Sequence, residues 1–396
     1  MSRSCRNVLA AVIAFVGLTV RADYTPDGHE WEDPSRLSFG TLPPRAAFGS
    51  FPDVESARQV LSELSPRTVS LDSETAWRFR WSRRPADRPR GFERPEFDVS
   101  VWDVVKVPCS WQAVGIRKSL ERFGMPLFLN QCYIWAGSLK VPAPEGLWPK
   151  VTGAEVPKDW YLGPEDNPVG SYRRDFEVPA EWDGKDVYLQ FDGVESFFYL
   201  WVNGTYVGYS KNSRNAAAFD VTKLVKPGKN VVAVEVYRNS DGAYLEAQDI
   251  YRLSGIMRHV RLYCAPKRSI ADAKITPKPV VAGAFDGGWK VAVNAEFRYT
   301  GPIRDLGKDV KPGCTVTARV FDANDREVKL GGVTSGNTLH EDNTPYWADN
   351  NFSIVKLDLR VAKPLLWSAE EPNLYTLVLE LVDAGGAVIE AAGFQL

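Results

Sequence analysis

An all-β chain of two successive sandwiches, the first of jelly-roll type and the second immunoglobulin-like, is what this sequence predicts. Three observations carry that expectation. Short apolar or alternating runs recur from Trp77 to Leu381 with turn residues between them. Asn203-Gly204 stands between two such runs, at 197–202 and 206–209, and is the strongest short-range hairpin signal because both residues tolerate positive φ. No strand–helix alternation typical of a barrel or a doubly wound sheet interrupts them.

The elements follow in chain order. Arg3 and Arg6 precede an uncharged, mostly apolar run at 8–20, and Val20-Arg21-Ala22 offers small residues at cleavage spacing. That is the pattern of a secretory signal peptide over residues 1–22, too short to span a bilayer comfortably, and it predicts a secreted or periplasmic protein. The bland alternative is a buried strand or a lipid-facing anchor. Residues 23–63 read as an N-terminal arm: Trp31-Glu32-Asp33-Pro34 and Pro43-Pro44-Arg45 suggest extended chain, and 54–64 suggests a short helix with Val54, Ala57 and Leu61 on one side.

The first sandwich is expected over 64–266. Trp77, Phe79 and Trp81 alternate with Arg78 and Arg80 as in a half-buried strand, and 97–107 is an apolar-rich run stopped by Pro108. Residues 136–169, rich in Pro, Gly and Lys, read as a long surface loop. Strands then follow at 171–178, at 186–191 with Val187, Leu189 and Phe191 on one face, at the hairpin, and at 230–237 and 259–263. Cys264-Ala265-Pro266-Lys267 reads as a domain junction. The second sandwich, 267–396, carries strands at 271–275, 288–299, 314–322, 353–359 and 374–381, then a turn at Asp383-Ala384-Gly385-Gly386. It is expected to be incomplete at its end, stopping at Gly393-Phe394-Gln395-Leu396 inside a final strand.

Composition excludes some functions. The 396 residues suit two domains, and a net charge of -2 without a basic stripe argues against nucleic-acid binding. No segment after residue 22 reads as a membrane span. The 13 Trp, 15 Tyr and 19 Phe suit either β-sheet cores or a face that stacks on sugar rings. Cys5 belongs to the signal; Cys109, Cys132, Cys264 and Cys314 form no metal-ligand spacing, and either Cys109 and Cys132 meet or all four are thiols. His29, His259 and His340 are too scattered for a metal site or a triad. Glu246 and Asp249 form a carboxylate pair of the kind a glycosidase needs, but flanking turns and nearby Arg252 and Arg258 make structure or domain docking the better reading. The segment 209–220, with Asn212, Ser213 and Arg214, is placed to reach a bound sugar or a neighbouring domain, or is plain surface loop.

Several stretches resemble the N-terminal part of family 2 glycoside hydrolases of the β-galactosidase type. They include Val107-Pro108-Cys109-Ser110-Trp111-Gln112, Asn167-Pro168-Val169-Gly170-Ser171-Tyr172 and Trp201-Val202-Asn203-Gly204. Val207-Gly208-Tyr209-Ser210, Ser240-Asp241-Gly242-Ala243-Tyr244-Leu245-Glu246 and Leu366-Trp367-Ser368-Ala369-Glu370 continue the likeness, which in order covers almost all of residues 31–396.

The resemblance implies a galactose-binding-like jelly roll, then an immunoglobulin-like sandwich, with the catalytic (β/α)8 barrel and its two glutamates absent from this chain. No catalytic residue and no metal ligand is therefore expected here. Asn130 and Asn212 match positions that hydrogen-bond to galactose hydroxyls in such enzymes. At the second position the family has Asp, which also helps bind a monovalent cation. The amide keeps an acceptor and gains donors but loses the charge, which favours the sugar contact over the cation contact. No cofactor is expected in this chain, whereas the parent enzyme would use Mg and a monovalent cation such as Na, mostly through barrel residues. The implied partners are a β-galactoside sugar, the missing barrel and a homo-oligomer. A free-standing carbohydrate-binding protein, or part of a β-glucuronidase or β-mannosidase, is the alternative.

Overall fold

The computed structural model describes residues 25–118, 122–124, 126–129, 167–246, 249–281, 288–300, 314–338 and 352–396. The signal segment, Asn130, Cys132 and His340 lie outside the described residues, as does most of the long loop expected at 136–169. No described helix is long and apolar enough to cross a membrane.

The first sandwich contains strands β1 (Ser38–Phe39), β2 (Thr68–Ser70), β3 (Ser73–Ser82), β4 (Asp103–Val107) and β5 (Leu127–Leu129). After them come β6 (Val169–Val178), β7 (Asp186–Phe191), β8 (Val194–Glu195), β9 (Phe197–Val202) and β10 (Thr205–Ser210). The set closes with β11 (Ala217–Asp220), β12 (Gly228–Tyr237), β13 (Ile250–Arg252), β14 (Gly255–Ile256) and β15 (Val260–Ala265). Its larger sheet has the order β1-β10-β9-β12-β6-β3-β4 and faces a smaller one ordered β11-β7-β15-β2, with antiparallel neighbours throughout. Short helices α1 (Val54–Ala57), α2 (Trp111–Lys118) and α3 (Asp241–Glu246) lie at the margins.

The alternation read in the sequence fixes what is inside. Trp77 and Phe79 on β3 are fully buried and meet Tyr172 of β6, with ring centroids 6.3 and 4.7 Å apart. Trp111 packs on the same group, and Gly170 lets it do so, since a Cβ there would lie 2.6 Å from the Trp111 ring. The hairpin forms as expected: Asn203 and Gly204 have φ of 50° and 81°. Asn203 does more than turn the chain. Its Nδ2 donates to Leu224 O and Asn230 Oδ1, and its Oδ1 accepts from Val231 N, each at 2.8 Å.

The second sandwich pairs β16 (Arg268–Pro279), β17 (Trp289–Tyr299), β21 (Phe352–Val361) and β19 (Gly331–Val333) in one sheet. It pairs β20 (Ser335–Asn337), β18 (Thr315–Phe321), β22 (Thr376–Val382) and β23 (Val388–Gln395) in the other. β17 shows the period of two plainly: Val291, Val293, Ala295 and Phe297 are buried and the residues between them face outward. β23 is paired with β22 along its length.

The arm departs most from expectation. The helix expected over 54–64 stops at Ala57, because Val60 takes φ of 62°, and Leu61 is exposed instead of lying beside Val54 and Ala57. Phe97 to Trp102 is not strand; Phe97 and Trp102 pack with Phe92 and Trp201 against the outer side of the large sheet. Trp31 lies in a short 3-10 turn, Glu30–Glu32, and stacks on Tyr237 at 5.4 Å within a cluster with Phe197, Tyr199 and Tyr209. These described aromatics are thus spent on packing, on both faces of the large sheet, whereas Phe128, Tyr251 and Trp367 stay exposed. Further on, Phe51, Val54 and Ala57 cover Val378 and Ala391 on the second sandwich. The arm straps the two domains together. Direct links reinforce it: Arg298 Nη1 donates to Tyr188 Oη at 3.2 Å, and Asp186 accepts from Lys267 Nζ and Thr300 Oγ1.

Candidate functional site

β10 ends at Ser210, and the chain turns through Lys211, Asn212, Ser213 and Arg214. Asn212 makes the turn by itself. Its Oδ1 accepts from Arg214 N at 3.2 Å and Asn215 N at 3.1 Å, while the residue stays exposed. Its carbonyl oxygen is thereby committed to backbone donors, and the amide NH2 is the group left for a ligand.

The turn rests on a buried ionic base. Lys211 Nζ pairs with Asp241 Oδ1 at 2.8 Å and donates to Asp33 O at 2.6 Å, with both charged side chains almost wholly buried. Burial lowers the lysine pKa, and Asp241 opposes that shift. The Asp33 carbonyl comes from the Trp31-Glu32-Asp33-Pro34 stretch, anchored in turn by Glu30, which accepts from Asp27 N, Gly28 N and the Tyr199 hydroxyl.

Behind Ser213 lies Glu246, at the end of α3. Its Oε1 accepts from Ser213 N at 2.9 Å. Among the described residues, Glu246 Oε2, Ser213 Oγ and Ser240 Oγ are buried and make no hydrogen bond. Each such orphan costs about 1–3 kcal/mol, so a group of them marks a place where the fold gives up stability. Glu195 completes the set on β8, which pairs with β14. Burial pushes its carboxyl up to about 7; Arg214, at 3.5 Å, pulls it down, and Glu246 adds to the rise.

Of the residues singled out from sequence, Asn212, Ser213, Arg214 and Glu246 are brought together. Asp249 is exposed and Asn130 lies outside the described residues. Sequence reasoning missed Glu195 and the Lys211–Asp241 pair. Neither follows a spacing rule, since Glu195 meets its neighbours only through the β8–β14 pairing and Lys211 meets Asp241 only where α3 packs beside the end of β10. Asn212 does not fit a monovalent cation: it carries no charge and its oxygen is taken by two N–H groups. Among the described residues no group of three or more His, Cys, Asp or Glu could hold a metal. Cys264 and Cys314 are buried thiols, and burial pushes Cys264 up to about 11.

Two family models match the chain. The sugar binding domain of glycosyl hydrolases family 2 matches residues 70–266, and a second family 2 domain model matches 285–394. A β-galactosidase of Priestia megaterium is 33% identical over 315 residues, covering 80% of this chain and 26% of the relative. One from Halalkalibacterium halodurans is 29% identical over 358 residues, covering 90% of this chain and 30% of the relative. The chain thus spans less than a third of the length of these relatives. Among solved structures, a family 2 member from Bacteroides cellulosilyticus superposes with a TM-score of 0.57 at 20% identity, over 83% of this chain and 36% of that one. The β-glucuronidase of Bacteroides uniformis gives 0.57 at 17% identity, over 83% and 32%. At such identities these two likenesses speak for the fold alone.

Proposed function

The chain belongs to family 2 of the glycosyl hydrolases, and from that premise we propose that its two sandwiches are the non-catalytic, sugar-positioning part of an exported β-galactosidase-type enzyme. The observation that carries the proposal is the Asn212 turn. An exposed amide is braced by a buried ion pair and backed by buried polar atoms without partners, an arrangement suited to hydrogen-bonding a sugar hydroxyl.

Hydrolysis needs a proton donor and a second carboxylate across the glycosidic bond. Glu246 is held by Ser213 N and Asp249 lies exposed beyond it, so neither is assigned that work. We place the acid/base and nucleophile outside these two sandwiches, on a (β/α)8 barrel that would present the other side of the pocket. The relatives' names favour galactosides over the glucuronidase reading, which has only distant structural likeness behind it.

The test has two arms. Galactose binding by the chain, followed by NMR line broadening, is expected to be weak and to disappear in Asn212→Ala. The chain is expected to show no turnover of a chromogenic β-galactoside above an active-site-dead relative. Turnover that vanishes in Glu246→Ala would overturn the assignment.

A further inference from the structure

A cleft of about 780 Å³ opens between the two sandwiches, within the range of small-ligand sites. Three parts of the chain build it: arm residues 42–50, the β7 and β15 side of the first domain, and β16 and β17 of the second. One rim, Arg214 and Asn215, is the turn that Asn212 caps.

Its polar groups are fixed before any ligand arrives. The Arg45 guanidinium lies 4.0 Å from the Phe48 ring centroid and 5.6 Å from that of Tyr263, and its Nη1 donates to Ala271 O. Arg261 is held by Asp192 at 2.5 Å, and Arg298 by the Tyr188 hydroxyl. Such groups lose little freedom on binding. Beside them Asp272 and Glu296 are direct partners across β16 and β17. Like charges so placed destabilise a sheet, which marks the pair as kept for what it faces.

Charge decides the ligand class. Five arginines and four carboxylates line the cleft, so the net field is small and both donors and acceptors are plentiful. Asp192 and Glu390 are already engaged, by Arg261 and by Ile270 N, so Asp272 and Glu296 are the acceptors among the arginines, and a neutral polyol would satisfy both kinds of group. We propose that the interdomain cleft is a second carbohydrate site, which takes a neutral oligosaccharide through Arg45, Asp272 and Glu296. The galactosyl identity of the probe rests on the reading above, but the cleft chemistry does not.

Calorimetry of this chain with β-1,4-galactotetraose tests it, with galactose as the short control. Loss of one charged hydrogen-bonding group should weaken the tetraose about tenfold or more in Arg45→Ala and in Glu296→Ala. Galactose binding at Asn212 should be unchanged in both. Unchanged tetraose affinity in both variants, with wild-type melting temperatures, would overturn the cleft proposal. So would absence of any tetraose binding, or preference for an oligogalacturonate. Tetraose binding that survives while Asn212→Ala leaves galactose untouched would sink the Asn212 reading alone.

Discussion

Phe51 and Ala391 exchange two backbone hydrogen bonds, N–H to O in each direction at 2.9 Å, and so tie the arm to the last strand of the second sandwich. Gly393 makes this approach possible. A Cβ at that position would lie 1.9 Å from the Ala57 carbonyl oxygen, a backbone atom that no rotamer change can move. Gly393→Ala is therefore expected to cost about 1–3 kcal/mol and to lift α1 off the sheet. Limited proteolysis should then cut within 58–66 faster than in wild type. Unaltered cleavage there would mean the arm is held elsewhere.

Lys211 and Asp241 form a buried pair, and removing one partner strands the other charge. Lys211→Met should lower unfolding free energy by about 3–5 kcal/mol, measured in urea. The double variant Lys211→Met, Asp241→Asn should recover a substantial part. A double variant no better than the single would show that packing, and not the stranded carboxylate, carries the loss.

Glu195 gives a pH signature. Its carboxyl is raised from 4.5 to about 7, so its protonated form is the one the folded state favours. The associated stability is fully present below 4.5 and is lost as pH rises through about 7, by on the order of 3 kcal/mol in all. Thermal melts from pH 4.5 to 8 should show this fall in wild type and a flatter profile in Glu195→Gln. Parallel profiles would assign the pH dependence to other groups.

Asn203 combines positive φ with hydrogen bonds to two neighbouring segments. Asn203→Gly keeps the turn but loses the bonds; Asn203→Ala loses both. Chemical denaturation is expected to rank them wild type, then Gly, then Ala, with the first step about 1–3 kcal/mol. A glycine variant as stable as wild type would reduce the residue's role to the turn alone.

Much of this was legible in the residues. Alternation located β3 and β17, Asn203-Gly204 located the hairpin, and the cluster after Tyr209 pointed to the Asn212 turn. The arm was not legible as a strap. Its apolar residues, Phe51, Val54 and Ala57, show a pattern too short to reveal a partner, and their cover lies on strands far along the chain. The same holds for Trp31, whose ring finds Tyr237 only when the large sheet exists. Glu195 and Lys211 are ordinary charged residues in sequence; Lys211 is buried only where Asp241 of α3 and the Asp33 carbonyl close on it, and Glu195 only where β8 pairs with β14.

The Phe51–Ala391 tie also sets a timetable. At about 5–20 residues per second, a ribosome makes residue 391 roughly 20–70 s after residue 51. Throughout that interval the first sandwich can assemble, but the apolar side of α1 has no second sandwich to lie on. The strap is thus a seam that closes only once β23 has been made. A nascent chain stalled before β23 would carry Phe51, Val54 and Ala57 bare, a mark that chaperones or proteases could recognise.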